Sequence, residues 1–211
     1  MKHIPHVIVG APWEGSELAL SVMQWRHMTR VLRLGRGKPL TYTDGLGRIG
    51  KGSLSDHAIK RDEEREVPRI GELTVAVAPP SNKDRQRYLV EKLAELGVSQ
   101  LQWLETSHGA GRLASPAKIF SWVSAAVEQS RGAWLMEVIP DVVRWSDLES
   151  PILVCEPGGG VIGLRPRTVV IGPEGGFSDA EIPDDLPRWE LGPNVLRVET
   201  AAVVAAARIL A

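Results

Sequence analysis

The chain has 211 residues; 43% are apolar, and 25 Lys and Arg against 26 Asp and Glu give a formal net charge of −1. This length accommodates one large domain or two small ones with an ordinary packed core. The charge balance excludes binding to nucleic acid by overall electrostatic attraction, so any basic surface has to be a local patch.

Cys155 is the only cysteine, which excludes a disulfide within the chain and points to a reducing, cytoplasmic compartment. The opening residues MKHIPHVIVG are too short and too interrupted for a signal peptide. No apolar run approaches the roughly 18 residues of a transmembrane helix.

Residues 1–70 and 71–211 read differently, and we place a domain boundary between them. The first part carries short β-like pieces, HVIVG, PLTYTDG and GRIGKGSL, separated by Gly, Asp and Pro. Asp44-Gly45 and Gly47 mark a hairpin turn between two of them. A helix bearing Arg26, Arg30 and Arg33 precedes the hairpin. The pattern predicts a small β-barrel or half-barrel with a helix. The charged run KRDEEREVPR at 60–69 reads either as an exposed strand or as a linker.

After residue 70 the pattern alternates strand and helix. LTVAVAP (73–79) is a continuous apolar run, typical of a strand covered on both faces. In 83–96, Leu89, Val90, Leu93 and Leu96 share one helical face, and Gly97 ends the helix. SQLQWLET (99–106) is the next strand. Ser115-Pro116 opens a second helix, with proline at its favoured first position, and that helix extends to about Ser130. WLMEVI, a short WSDLES helix, ILVCE and TVVIG follow, and a last helix covers TAAVVAAARILA. This alternation predicts an α/β domain with a mostly parallel sheet.

Several motifs are decoys. GGGVIG (158–163) has dinucleotide-binding spacing, but Leu164-Arg165-Pro166-Arg167 follows where a helix should open, so it reads as a flexible loop. GPEGG is not followed by the Gly-Lys-Ser/Thr of a phosphate-binding loop. The histidines and the cysteine lack metal-ligand spacing, so no metal is expected. Cys155 reads as a core residue.

The stretch VVIGPEGGFSDAEI (169–182) carries the strongest signal. An apolar strand stops at Gly172-Pro173, Glu174 stands at the turn, and Ser178 with Glu181 has capping-box spacing that predicts a helix start. A glycine loop between a strand's carboxyl end and a helix is where open α/β sheets bind ligands. A similar construction recurs at LGPNVLRVET (191–200).

These two stretches together resemble the ribosomal RNA small-subunit methyltransferase E family (RsmE), of the SPOUT class of S-adenosylmethionine enzymes. KDRQRYLVEKLAELGV (83–98), AAVEQSRG (125–132) and RHMTRVLRLGRG (26–37) agree with it. The chain departs from the family pattern at three places. The first strand lacks the usual arginine, Val198 stands where threonine is usual, and TSHGAGR (106–112) replaces a Ser-Glu-Arg-Ser-like run.

The resemblance implies a PUA-like RNA-binding domain over 1–70 and a SPOUT methyltransferase domain with a deep trefoil knot over 71–211. It also implies a homodimer and S-adenosyl-L-methionine as cofactor. The reaction it implies is methylation of N3 of one uridine in 16S small-subunit rRNA, on the assembled 30S subunit. Rival readings are a knotted methyltransferase acting on another RNA and a non-catalytic RNA-binding assembly factor.

On this reading Ile171, Gly172, Pro173, Glu174, Gly175 and Gly176 form one wall of the cofactor pocket. Leu191, Gly192 and Leu196 form the other, because glycine lets main chain approach a ligand closely. Glu174 and Glu199 either order the pocket or bind a ribose hydroxyl. Arg197 and Glu199 are the catalytic candidates, as anion stabiliser and base, with a structural ion pair at a helix start as the alternative. The RNA-binding candidates are Arg26, Arg30 and Arg33, then Lys83, Arg85, Arg87, Arg112 and Arg131, with Gln129 for a base or a neighbouring subunit.

Overall fold

Five short strands lay out the first sheet: β1 (His6–Ile8), β2 (Glu17–Ala19), β3 (Pro39–Thr43), β4 (Arg48–Leu54) and β5 (Ala58–Glu66). They are seen in a computed structural model that describes residues 4–109, 111–160, 163, 165–178 and 181–211. The sheet order is β1-β3-β4-β5-β2; β1 runs parallel to β3 and the other pairs are antiparallel.

The expected hairpin forms at Asp44. Its carboxylate accepts from Leu46 N at 2.7 Å and Arg48 N at 3.0 Å, while Gly45 and Gly47 take positive φ. The charged run after residue 58 is a strand. It pairs with β4 on one side and β2 on the other, so backbone pairing rather than side-chain burial keeps it in the sheet. The half-barrel core gathers Val7, Trp13, Leu40, Tyr42, Leu54 and Ile59. Tyr42 lies flat across β4 because a Cβ on Gly50 would overlap its ring.

The helix expected around Arg26 is present as α1 (Val22–Arg26), capped by a Ser21–Gln24 box, and it continues as a π-helical turn over His27–Val31. The first compact unit comprises the residues up to Arg69 together with Ser124–Leu135. The later segment is held there by side chains: His6 Nε2 to Gly132 O at 3.1 Å, Thr43 Oγ1 donating to Ala133 O at 3.0 Å, and Ile8 N donating to Glu128 at 3.2 Å.

The second unit comprises Ile70–Val123 and Met136–Ala211. Its strands are β6 (Thr74–Val77), β7 (Gln100–Leu104), β8 (Glu137–Val143), β9 (Ile152–Gly160), β10 (Thr168–Ile171) and β11 (Arg188–Trp189). They form one sheet in the order β11-β9-β10-β6-β7-β8, with every pair parallel. β6 is central, and Val75, Ala76 and Val77 are fully buried, as its unbroken apolar run predicts.

The helices are α2 (Lys83–Glu95), α3 (Pro116–Ser130) and α4 (Val198–Leu210). α2 buries Leu89, Val90 and Leu93 along one face and packs against α4. α3 contributes its first half to this unit and its second half to the other. From β6 the chain proceeds outward through β7 and β8, then returns to fill the other side with β10 and β9. The junction of β6 and β10 is therefore a topological switch point, the kind of place near which open α/β sheets bind ligands.

Two expectations need correction. Gly158–Gly160 is not loop: β9 runs through it, and Trp189 of β11 pairs with Gly160. No helix follows Ser178 among the described residues. Glu181 does reach back to Ser178 N at 2.8 Å, but a residue before proline disfavours helical φ/ψ, and Glu181–Ile182, ahead of Pro183, form a turn and bend instead. Asp179 and Ala180 lie outside the described residues.

Candidate active site

The sharp turn after β10 is closed by Gly176 N donating to Pro173 O at 2.9 Å, with Gly176 at φ 74°. Glycine satisfies that φ without strain. At Gly172 the requirement is space: a Cβ there would come within 2.8 Å of the Phe177 ring. Phe177 packs with Trp145 at 5.5 Å between ring centroids, which anchors the far side of the loop.

The loop after β7 ties the turn down further. Ser107 N donates to Glu181 at 2.9 Å, Ser178 Oγ to Ser107 Oγ at 3.1 Å, and His108 Nδ1 lies 3.0 Å from Gly176 O. These bonds and the burial of part of its surface leave the Glu181 carboxyl below its ordinary range: burial raises it, and the Ser178 and Ser107 hydrogen bonds together lower it by more. The departure from the family pattern at 106–109 is therefore a clasp on the loop of the first motif.

A cleft lies between this turn and the loop that follows β11. Ile171, Gly172, Pro173, Glu174 and Gly176 line one wall, and Leu191, Gly192 and Leu196 the other. The two predicted walls thus meet. Gly175 is not on the cleft; the face where its Cβ would stand looks onto His108.

The sequence did not single out the end of β9, where Cys155, Glu156 and Pro157 also line the cleft, nor Phe177 and Glu190. Only the neighbouring of β9 with β10 brings Cys155 beside Ile171, their Cα atoms being register partners. Cys155 is thus half-buried at the cleft wall rather than a plain core residue, and burial pushes its thiol up to about 12.

Arg85, an RNA-binding candidate, has two carboxylate neighbours in the structure. Asn82 caps α2 and fixes its first turn, so that Arg85 Nη1 meets Glu174 Oε1 at 2.8 Å and Arg85 Nε lies 3.7 Å from Glu199 Oε1. One guanidinium thus links Glu174 of the first motif to Glu199 of the second. Glu199 sits in the first turn of α4, where the helix dipole favours a carboxylate. Its side chain is 10% exposed, and Oε2 has no hydrogen-bond partner. Arg197 is the exposed N-cap of α4 and makes no capping bond. Glu199 pairs with Arg85, not with Arg197.

The remaining basic candidates divide between the units. Arg26, Arg30 and Arg33 are exposed on and after α1, and Gln129 and Arg131 are exposed in the 124–135 segment of the same unit. Arg33 and Arg131 both hold positive φ. Arg131 also lines a groove with Lys51 and Arg65, and it helps burial keep His6 below its ordinary value. Lys83, Arg87 and Arg112 are exposed on the second unit; Arg87 is paired with Glu91 at 2.7 Å. Among the described residues no group of three His, Cys, Asp or Glu could hold a metal, and no helix is long and apolar enough to cross a membrane.

Comparison with known proteins places this geometry. Residues 66–210 match the RNA methyltransferase domain family. The curated ribosomal RNA small subunit methyltransferase E of Synechocystis sp. is 29% identical over 91% of this chain and 72% of its own length. A methyltransferase from Legionella pneumophila, solved in complex with bound SAM, superposes with a TM-score of 0.82 at 25% identity, over 99% of this chain and 97% of that one. A ribosomal RNA small subunit methyltransferase E from Neisseria gonorrhoeae, bound to S-adenosyl methionine, shares the fold with a TM-score of 0.82 at 22% identity, over 98% and 97% of the two chains. The chain belongs to the RNA methyltransferase domain family, among the relatives of ribosomal RNA small-subunit methyltransferase E that its sequence motifs resemble.

Proposed function

We propose that the protein transfers a methyl group from S-adenosyl-L-methionine to N3 of one uridine in 16S small-subunit rRNA. The observation that carries this reading is the cleft at the carboxyl end of a parallel sheet, walled by the 171–176 and 191–196 loops, in a chain of this family. The lining suits the cofactor. Ile171, Val198, Ala201 and Phe177 give an apolar bed for adenine, the glycine turns bring main-chain groups close, and Glu156, Glu174 and Glu190 supply acceptors for hydroxyl and ammonium groups. The SAM-bound Legionella pneumophila relative supports the same assignment.

When bound, the cofactor supplies an electrophilic methyl group on a sulfonium. The nitrogen–carbon bond forms as the sulfur–carbon bond breaks, and the bonding pair stays on sulfur. The imide proton of the uridine has to leave N3. Glu199, with its buried unpartnered oxygen, is the base we assign, and Arg197 the cation that holds the developing anion. Arg85, 3.7 Å away, holds the Glu199 side chain in place. Alignment of acceptor and methyl group supplies much of the remaining rate enhancement.

The reading includes a trefoil knot in the second unit, a PUA-like first domain over 1–70 and a SPOUT domain over 71–211. It also includes a homodimer acting on the assembled 30S subunit in the cytoplasm. Arg26, Arg30, Arg33, Gln129 and Arg131, with Lys83, Arg85 and Arg112, are its RNA contacts. Support comes from the parallel sheet, the half-barrel sheet and the curated relative.

The test is mass mapping of rRNA nucleosides from cells with and without the protein, followed by methylation of purified small subunits and of tRNA. Loss of 3-methyluridine at one small-subunit position, restored by the purified protein, is the expected result. Unchanged rRNA with methylated tRNA would favour the alternative acceptor. No cofactor binding at millimolar ligand would favour the non-catalytic assembly factor.

A further inference from the structure

The charge of the cleft is one-sided. Glu156, Glu174 and Glu190 line it, and among the described residues no Lys, Arg or His does. Two of these carboxylates are already paired: Glu174 with Arg85 at 2.8 Å and Glu156 with Arg188 at 2.8 Å. Glu190 is exposed and has no ion pair among the described residues. Behind the lining, Glu199 shares Arg85 with Glu174 and keeps one oxygen buried without a partner. Arg197 is exposed and does not line the cleft, although Leu196 and Val198 on either side of it do. Four carboxylates thus face the two guanidinium groups of these pairs, and one negative charge remains even when the exposed Arg197 is counted as a third. A surplus of negative charge in a partly desolvated cleft favours a cation over a neutral ligand of the same shape.

We propose that this surplus, with Glu190 as its unpaired member, makes the cleft a charge filter that prefers the cationic methyl donor to the neutral thioether left after transfer. The inference rests on the cofactor reading above and adds a specificity determinant to it. Product release is helped by the same feature that holds the substrate: once the methyl group has gone, the ligand has lost the charge that Glu190 attracts. The contrasting role for Glu190 is a hydrogen bond to a ribose hydroxyl, which donor and product share and which cannot tell them apart.

The experiment is calorimetry on the full chain with three ligands: S-adenosylmethionine, S-adenosylhomocysteine and sinefungin, which carries an ammonium near the position of the sulfonium. Glu190→Gln should weaken S-adenosylmethionine and sinefungin by about three- to tenfold while leaving S-adenosylhomocysteine unchanged. Arg188→Gln, which releases Glu156, should move the ratio of the two natural ligands the opposite way. Raised salt should shrink the wild-type preference. An equal loss for all three ligands in Glu190→Gln, or a ratio unmoved in both variants, would overturn the charge filter while leaving the cofactor site standing. Failure of the wild-type protein to bind any of the three would overturn the cofactor reading itself.

Discussion

Glu64 and Glu199 are two carboxylates with largely covered side chains and opposite surroundings. Glu64, in the half-barrel, is 12% exposed and fully engaged. Tyr42 Oη donates to it at 2.8 Å, Arg61 reaches both oxygens at 2.7 and 2.9 Å, and Arg48 adds a contact at 2.7 Å. Glu199, beside the cleft, is 10% exposed with a single guanidinium at 3.7 Å and one oxygen bonded to nothing. A satisfied carboxylate stabilises a fold; an unsatisfied one costs stability and persists where a ligand or reaction uses it. The difference separates the part of the molecule built to hold its shape from the part built to receive something.

The largest expected effect is at the satisfied group. Glu64→Ala strands Arg61 and the Tyr42 hydroxyl and should cost the first unit about 3 kcal/mol, read as a lowered unfolding midpoint by calorimetry. Cofactor affinity of the folded protein should not change. The pH dependence has a defined sign. Arg61 above all, and then Tyr42 and Arg48, hold the Glu64 carboxyl below its ordinary 4.5. Its contribution is therefore complete above that value and disappears as pH falls through the lower folded value. Glu64→Gln should flatten this part of the acid unfolding curve. The same pair works on Tyr42, pushed up to about 12 by burial first and Glu64 second.

Next in size is Gly172→Val. Its side chain would meet Phe177 and displace the turn, costing about tenfold or more in cofactor affinity measured by titration. Gly175→Val, off the cleft, should cost much less, which contrasts two neighbouring glycines of one motif. Arg85→Gln removes the cation paired with Glu199 and should lower stability by about 2 kcal/mol together with turnover. Arg85→Lys, which cannot span both carboxylates with one planar fork, should recover only part of either.

The strands and helices of the second unit were legible because their periodicity is strong: the β6 run is apolar throughout, and α2 repeats its leucines on one face. Both cleft walls were legible as glycine turns at strand ends. What the sequence hides is long-range neighbourhood. Nothing local in ILVCEPGGG says that Glu156 stands next to Ile171's strand, and two-residue β11 carries no pattern of its own. Charged β5 could be read only as strand or linker, since main-chain pairing holds it. The missing helix after Ser178 is a local conflict: the capping-box bond to Ser178 N forms, and Pro183 prevents the helix it would start. The sequence likewise hides that Arg85 meets Glu174 and Glu199, which are far along the chain.

The smallest expected effect concerns Cys155. With its thiol pushed up to about 12 by burial, iodoacetamide should leave the native protein unmodified at about pH 8 over minutes and label it once unfolded.

The central claim is that the cleft receives the methyl donor. A crystal of the full chain grown with sinefungin tests it directly. The ligand is expected between the 171–176 and 191–196 loops, with adenine over Ile171 and Ala201 and the ammonium that replaces the sulfonium on the side of Glu190. A ligand lodged elsewhere, or seated there with its ammonium turned away from every carboxylate of the cleft, would contradict it.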